Sequence, residues 1–330
     1  MSDTIQKNLN YKKYVVDSKL RYFKPHASKI EKTFAEEIFS SLNRNSKFIT
    51  PKFFYDKKGS DLFEKICTLP EYYPTRTEIS ILKQLQNELL PFLDDDFRLV
   101  ELGSGSSVKT RLLLDILSSQ NNIEYFPIDI SEILAESSEQ LLCDYENLTI
   151  TGIIDTYEGG LEFLKTYDEK KNLIIFLGSS FGNFSPIDGY KFLEKVYATM
   201  KPGDLFLIGL DLVKEKEILE SAYNDSQRIT AEFNLNVLSR INDELDADFN
   251  LDNFTHHSLY NEKDRKEGYI LSKDRQGNKV KIDLLSISIG IVSSIAQHIE
   301  HIAQIGEIGA ELKKFAKSFP MVHKTISPAT

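Results

Sequence analysis

Between residues 83 and 210, short apolar runs and amphipathic stretches take turns along the chain. The apolar runs lie at 97–102, 124–128, 150–154, 173–177 and 204–210. The stretches 109–118, 131–145, 160–166 and 188–199 space their apolar residues at the helical period. Strand followed by helix, repeated in this way, predicts an α/β fold built on a doubly wound parallel sheet. Lys201-Pro202-Gly203-Asp204 supplies a turn before the fifth run. Outside this block the pattern changes. A helical pattern covers Lys29 to Leu42, and residues 50–82 read as an ordered loop with one helix, Ser60 to Thr68. Residues 214–245 are helical with acids and bases interleaved, 254–289 hold strand-like runs, and 297–318 are helical again. Two domains follow: a sheet domain of residues 76–210 and 296–330, and a discontinuous lobe of residues 1–75 and 211–295. Such a lobe is expected to bind substrate, because pockets favour domain interfaces.

The first apolar run carries the chemistry. Val100-Glu101-Leu102-Gly103-Ser104-Gly105-Ser106-Ser107-Val108-Lys109 passes from strand to glycine turn to helix. Gly103 and Gly105 let the backbone turn tightly and approach a ligand closely. Asp129 ends the second run, where an acid can bind ribose hydroxyls. Together these imply an adenosine cofactor. Val108 stands where the dinucleotide fingerprint has its third glycine, and no Gly-Lys-Ser/Thr follows for a P-loop. Glu-x-Gly-x-Gly resembles the S-adenosylmethionine (SAM) turn of class I methyltransferases, and a dinucleotide fold is the alternative on this motif alone.

Composition narrows the partners. The hydrophobic fraction of 41%, with 21 Phe and 15 Tyr, can fill a large core. A net charge of −10 disfavours nucleic acid. Cys67 and Cys143 make neither a metal nor a disulfide pattern, as expected of reduced thiols in a cytoplasmic protein. No signal-peptide h-region is seen, and no apolar run approaches the roughly 20 residues of a membrane span. The expected partner is a small molecule, met by a monomer or weak oligomer.

Four longer stretches together resemble the histidine-specific SAM-dependent methyltransferases. They are Thr50 to Glu64 continuing through Leu69 to Glu78, Glu101 to Leu113, Phe176 to Phe184, and Ala222 to Asp225 with Phe233 to Leu238 and Arg240 to Asn242. The resemblance covers about residues 50–260. It implies a class I Rossmann-like fold with a second, substrate-binding domain. It also implies SAM as cofactor and methylation of an amino-acid α-amine, L-histidine first, as in the ergothioneine pathway. By resemblance Tyr55 lines the substrate site, Asn183 binds the substrate's amino-acid end, and Tyr223 contacts its carboxylate. Lys109 reaches the cofactor carboxylate and Asp155 the adenine amino group, with Glu101, Gly103, Gly105, Asp129, Thr156 and Gly178 completing the cofactor set. Methyl transfer to a neutral amine is an in-line displacement, so positioning carries most of the catalysis and no metal is expected.

The C-terminal part departs from the family pattern. A Thr-Glu-x-Ser-like segment should hold the imidazole, but the chain offers Gly306-Glu307-Ile308-Gly309-Ala310-Glu311-Leu312-Lys313. Glu311 stands for that Glu one residue short, Lys313 falls where the Ser belongs, and Glu300 is a second candidate. His298 and His301 flank Glu300 without a third metal ligand, so exposed helix-face histidines are expected there. This tail leaves open the same fold acting on another amino acid or small amine, and a SAM-binding protein with weak or no catalysis.

Overall fold

The computed structural model describes residues 10–26, 33–45, 47–93, 97–105, 107–117, 122–130, 134–212, 214–260, 269–273, 279–283 and 290–293. The five runs are strands: β3 (Phe97–Leu102), β4 (Ile123–Asp129), β5 (Leu148–Ile154), β6 (Lys171–Phe176) and β7 (Leu205–Ile208). They lie parallel in the order β5-β4-β3-β6-β7. Each strand feeds both faces of the sheet, which is why it reads as a continuous apolar run. Leu99, Tyr125, Ile150 and Ile175 point into one core cluster, and Val100, Phe126, Ile153 and Ile174 into the other. Helices α3 (Tyr73–Leu89), α4 (Val108–Leu117) and α5 (Leu134–Asp144) cover the first face through Leu82, Leu85, Leu113, Leu114 and Leu141. Helices α6 (Tyr157–Tyr167) and α7 (Pro186–Thr199) cover the second through Leu161, Phe163, Phe192 and Val196.

Two additions at the sheet edges were not read from the sequence. An antiparallel hairpin, β1 (Tyr11–Val15) and β2 (Leu20–Pro25), joins through β2 parallel to β5, with Leu20 opposite Ile150. At the other edge β10 (Gly290–Ser293) runs antiparallel to β7. The order is therefore β1-β2-β5-β4-β3-β6-β7-β10. Tyr11–Pro25 thus belongs with the sheet, although the pattern along the chain had assigned residues 1–75 to the other lobe. The switch point lies between β3 and β6, where the connections leave in opposite directions and ligands of such sheets bind.

The chain separates into two compact units. The sheet unit takes α3 from Glu78 onward through Asp211, with the β1–β2 hairpin and β10. The second unit holds α1 (Phe34–Leu42), α2 (Lys57–Thr68), the first turn of α3, α8 (Lys216–Ala222), α9 (Ile229–Leu245) and the hairpin β8 (Tyr269–Lys273)–β9 (Lys279–Asp283). Asp56 starts α2 by accepting the Gly59 N–H at 2.7 Å. A Cβ at Gly59 would lie 1.8 Å from the Phe54 carbonyl oxygen, so this turn requires glycine. Leu62, Ile66, Tyr72 and Phe233 form one core of this unit, and Ile38, Val237 and Ile241 another.

Candidate active site

The glycine turn follows β3 as expected. Gly103 and Gly105 have φ of +79° and +46°, conformations that penalise any residue with a Cβ. The Gly103 N–H donates to the Ile128 carbonyl at 2.9 Å, which ties the turn to the end of β4. The Ser104 N–H donates to Asp129 Oδ2 at 3.2 Å. A Cβ at Gly105 would meet nothing within 4 Å, so the backbone there borders open space. Bare backbone on one side and a carboxylate on the other make a cradle suited to an adenosine ribose.

Glu101 departs from its expected place. It is 3% exposed, and its Oε2 accepts hydroxyls from Thr110 at 2.7 Å and Tyr125 at 2.5 Å. Burial pushes its pKa up to about 7, against the two hydroxyls and Lys109, which act to lower it. Its Oε2 braces the start of α4 against β4.

Asp155 follows β5, next along the edge from Asp129. Its Oδ2 accepts the Tyr11 hydroxyl, and its Oδ1 accepts the Thr156 N–H at 2.7 Å. The Tyr11 oxygen also lies 3.0 Å from the Gly159 carbonyl. Burial, then the bond to Asp155, raise the Tyr11 pKa far above the ordinary phenol value, so it remains a donor. Its ring packs edge-on against Phe163 at 4.9 Å. Thr156 caps α6: its Oγ1 accepts the Gly159 N–H at 3.1 Å. That cap uses one acceptor site of the hydroxyl and closes the helix N-terminus beside the sheet edge.

At the switch point Gly178 has φ +78°. Its N–H donates to Glu78, 2.9 Å from Oε1 and 3.0 Å from Oε2. Lys109, on the first turn of α4, pairs with the same carboxylate at 2.8 Å. Asn183 ends the short 3-10 turn Ser180–Asn183 and is exposed. Phe181 and Phe184 beside it pack on Phe192, at 6.0 and 5.1 Å, which anchors the turn that carries the amide.

In the second unit Tyr55, Phe63 and Phe233 contact one another edge-on or tilted at 5.3 to 5.9 Å. Phe63 leads to Tyr72 at 6.3 Å, and Tyr72 to Tyr223 at 5.9 Å. Tyr55 is 41% exposed as a residue. Burial around its hydroxyl, then Cys67 and Tyr223, push its pKa up to about 12, so it is neutral at physiological pH. Tyr223 is half-exposed at the end of α8, and its carbonyl accepts His256 Nε2 at 2.7 Å. His256 Nδ1 faces the Asn234 amide at 3.1 Å. An Nε2–H tautomer satisfies both bonds and holds the Tyr223 backbone.

Gly103, Gly105, Lys109, Asp129, Asp155, Thr156 and Gly178 are thus gathered along the carboxyl edge of the sheet, Tyr55 and Tyr223 belong to the second unit, and Glu311, Glu300, His298, His301 and Lys313 lie outside the described residues. Tyr11 and Glu78 were not singled out beforehand. Tyr11 meets Asp155 from 144 residues away with no local motif to mark it, whereas Glu78 ends the family-like stretch Leu69 to Glu78 but meets Lys109 and Gly178 only across 31 and 100 residues.

A parallel sheet with a glycine turn, a ribose-competent acid and an opened switch point defines a nucleotide-binding α/β enzyme. Comparison with known proteins makes this specific. The profile of a family described as "Histidine-specific methyltransferase, SAM-dependent" matches residues 34–297. Histidine N-alpha-methyltransferase of Mycobacterium tuberculosis is 38% identical over 77% of this chain and 78% of its own length. The Mycolicibacterium smegmatis protein of the same name is 39% identical over 74% of this chain and 76% of its own. Ergothioneine biosynthesis protein 1 of Neurospora crassa is 36% identical over 57% of this chain and 22% of its own. The chain belongs to the histidine-specific, SAM-dependent methyltransferase family. Its cofactor is therefore SAM, and the dinucleotide alternative falls away. Among the described residues no helix is long and apolar enough to cross a membrane.

Proposed function

We propose that this enzyme transfers methyl groups from SAM to the α-amine of L-histidine, giving the N-α-trimethyl product. The observation that carries the reading is the cradle: Gly103 and Gly105 at positive φ, open space above Gly105, and Asp129 hydrogen-bonded to the same turn. The two curated relatives that align over three quarters of their length act, by name, on the histidine α-nitrogen.

The residues divide the work by chemistry. When bound, SAM would supply a methyl group on a sulfonium: the lone pair of the neutral amine would form the N–C bond as the C–S bond breaks, S-adenosylhomocysteine would leave, and the methylated ammonium would release a proton to solvent before any next transfer. Asp129, at the end of β4, accepts from ribose hydroxyls, and Asp155, one strand further out, accepts from the adenine amine. Lys109 faces the cofactor carboxylate, and the Gly103, Gly105 and Gly178 turns give way to its chain. Glu101 and Thr156 act beneath this surface, one bracing α4 and the other capping α6. Asn183, Tyr55 and Tyr223 are assigned to the amine substrate. An amide and neutral phenols can hold a nitrogen without protonating it, so the lone pair stays available for displacement. Aromatic faces also attract the ammonium product, worth roughly 0.5–2 kcal/mol each. Glu311 is assigned to the imidazole by sequence alone.

A second reading is favoured by one observation: Lys313 stands where the family pattern has a Ser. The same machinery would then serve another amino acid or small amine, or bind SAM with little turnover. Cys67 and Cys143 are not joined in a disulfide, and SAM is an intracellular metabolite, which supports a cytoplasmic enzyme with a small-molecule partner. Mass spectrometry of the protein incubated with SAM and the twenty amino acids decides between these. Histidine gaining three methyl masses supports the first reading. Methylation of another amino acid supports the second, and no product with SAM binding retained rejects catalysis on this substrate class.

A further inference from the structure

Glu78 has no assigned role, yet three segments that leave the sheet converge on its carboxylate. Lys109, after β3, pairs with it at 2.8 Å. The Gly178 N–H, after β6, donates to it at 2.9 Å. Gly209, after β7, passes so close that a Cβ there would lie 1.9 Å from Glu78 Oε1. Gly178 is constrained more by its backbone, with φ +78°, than by space, since its Cβ would sit 3.2 Å from Lys109 Nζ. The carboxylate is buried, whereas a quarter of the Lys109 side chain is exposed. The acid thus stands behind the lysine, at the switch point where the ligand crevice of such a sheet opens.

A buried charge must be paired to be tolerated, and this one is paired on both oxygens. The pair has a consequence for recognition. A lysine alone attracts any anion. A lysine backed by a carboxylate presents no net charge and favours a group that carries both signs. The amino-acid tail of SAM is such a zwitterion. Resting on the cofactor reading above, we infer that Glu78 is the positioning residue of the cofactor's amino-acid end. It fixes the Lys109 ammonium and the Gly178 turn relative to each other, and its charge makes that subsite select a zwitterion over a simple anion.

The test is calorimetric binding with three probes: S-adenosylhomocysteine, its des-amino analogue that keeps the carboxylate, and 5′-methylthioadenosine, which lacks the tail. In Glu78→Gln the S-adenosylhomocysteine affinity is expected to fall at least about tenfold, while 5′-methylthioadenosine stays within about twofold. The des-amino analogue should bind as well as before or better, because Lys109 is no longer neutralised. Glu78→Asp, which keeps the charge, should recover most of the loss. A purely structural role would weaken all three probes together, and that result, or unchanged S-adenosylhomocysteine affinity, overturns the inference. If the unaltered protein binds none of the three, the cofactor reading itself falls and this inference with it.

Discussion

Glu101 offers a test in which the structure sets both sign and size. Its carboxyl group titrates near 4.5 in an unfolded chain and near 7 when buried under the glycine turn. Between those values the folded protein binds more protons than the unfolded one, so stability falls as pH rises. The contribution is fully present below about pH 4.5 and is lost as pH passes 7. A displacement from 4.5 to about 7 corresponds to ~3 kcal/mol in total, of which ~2–3 kcal/mol is lost between pH 5 and 8. Glu101→Gln keeps an oxygen to accept from Thr110 and Tyr125 but does not titrate. Urea unfolding of both proteins at pH 5 and pH 8, followed by circular dichroism, isolates the effect, because every other titrating group cancels in the difference. The variant should gain ~2–3 kcal/mol on the unaltered protein between the two pH values. A stability gap that does not change with pH refutes the argument. The same variant separates bracing from binding: its S-adenosylhomocysteine affinity at neutral pH should stay within about threefold. A loss of tenfold or more would return Glu101 to the set of direct cofactor contacts.

Three further outcomes are expected. Asp129→Ala should weaken SAM binding about ten- to a hundredfold, the size of one or two hydrogen bonds to a charged acceptor, and calorimetry showing an unchanged affinity would remove Asp129 from the ribose site. Asn183→Ala should raise the KM for the amine at least about tenfold with SAM affinity nearly intact; an equal fall in both would move Asn183 to the cofactor. Tyr11→Phe deletes the donor to Asp155 while keeping the ring on Phe163, so 5′-methylthioadenosine and S-adenosylhomocysteine should both lose about three- to tenfold, and equal affinity in the two proteins would show that the hairpin does not act on the adenine end.

What could be read from the chain alone follows from how far each feature reaches. The strands from Phe97–Leu102 to Leu205–Ile208 are buried on both faces, so each is a continuous apolar run that needs no partner to be recognised. The glycine turn and the acids at Asp129 and Asp155 are equally local, because a turn and a strand end sit at fixed offsets from those runs. The hairpin is the opposite case. Tyr11–Val15 is an edge strand with four of its five residues exposed, and Lys12 and Lys13 give it the polarity of a loop. Only pairing of Leu20–Phe23 with Ile150–Ile153 makes it part of the sheet. Helix α3 was hidden for a related reason: it opens on Tyr73-Pro74-Thr75, which reads as a turn, and its apolar face at Leu82, Leu85 and Leu89 begins about two and a half turns later.

The two unforeseen site residues lie on those two elements. Tyr11 is on the hairpin and Glu78 on α3, and each sits directly behind a residue the sequence had already marked, Asp155 and Lys109. This division has a physical basis. A group of the sheet unit that touches the cofactor stands near the carboxyl edge of a strand, so its place is encoded within a few residues of that strand. A group that orients it needs only to be near in space, and any element packed on the sheet can provide it. Sequence offsets therefore find the contacts, while the supports emerge only once the strands are paired. Glu101 completes the argument from the other side: it has the offset of a contact, yet Thr110 and Tyr125 turn its carboxylate inward and make it a support. Motif position alone cannot separate these roles, and the pH dependence of Glu101→Gln against the probe selectivity of Glu78→Gln does.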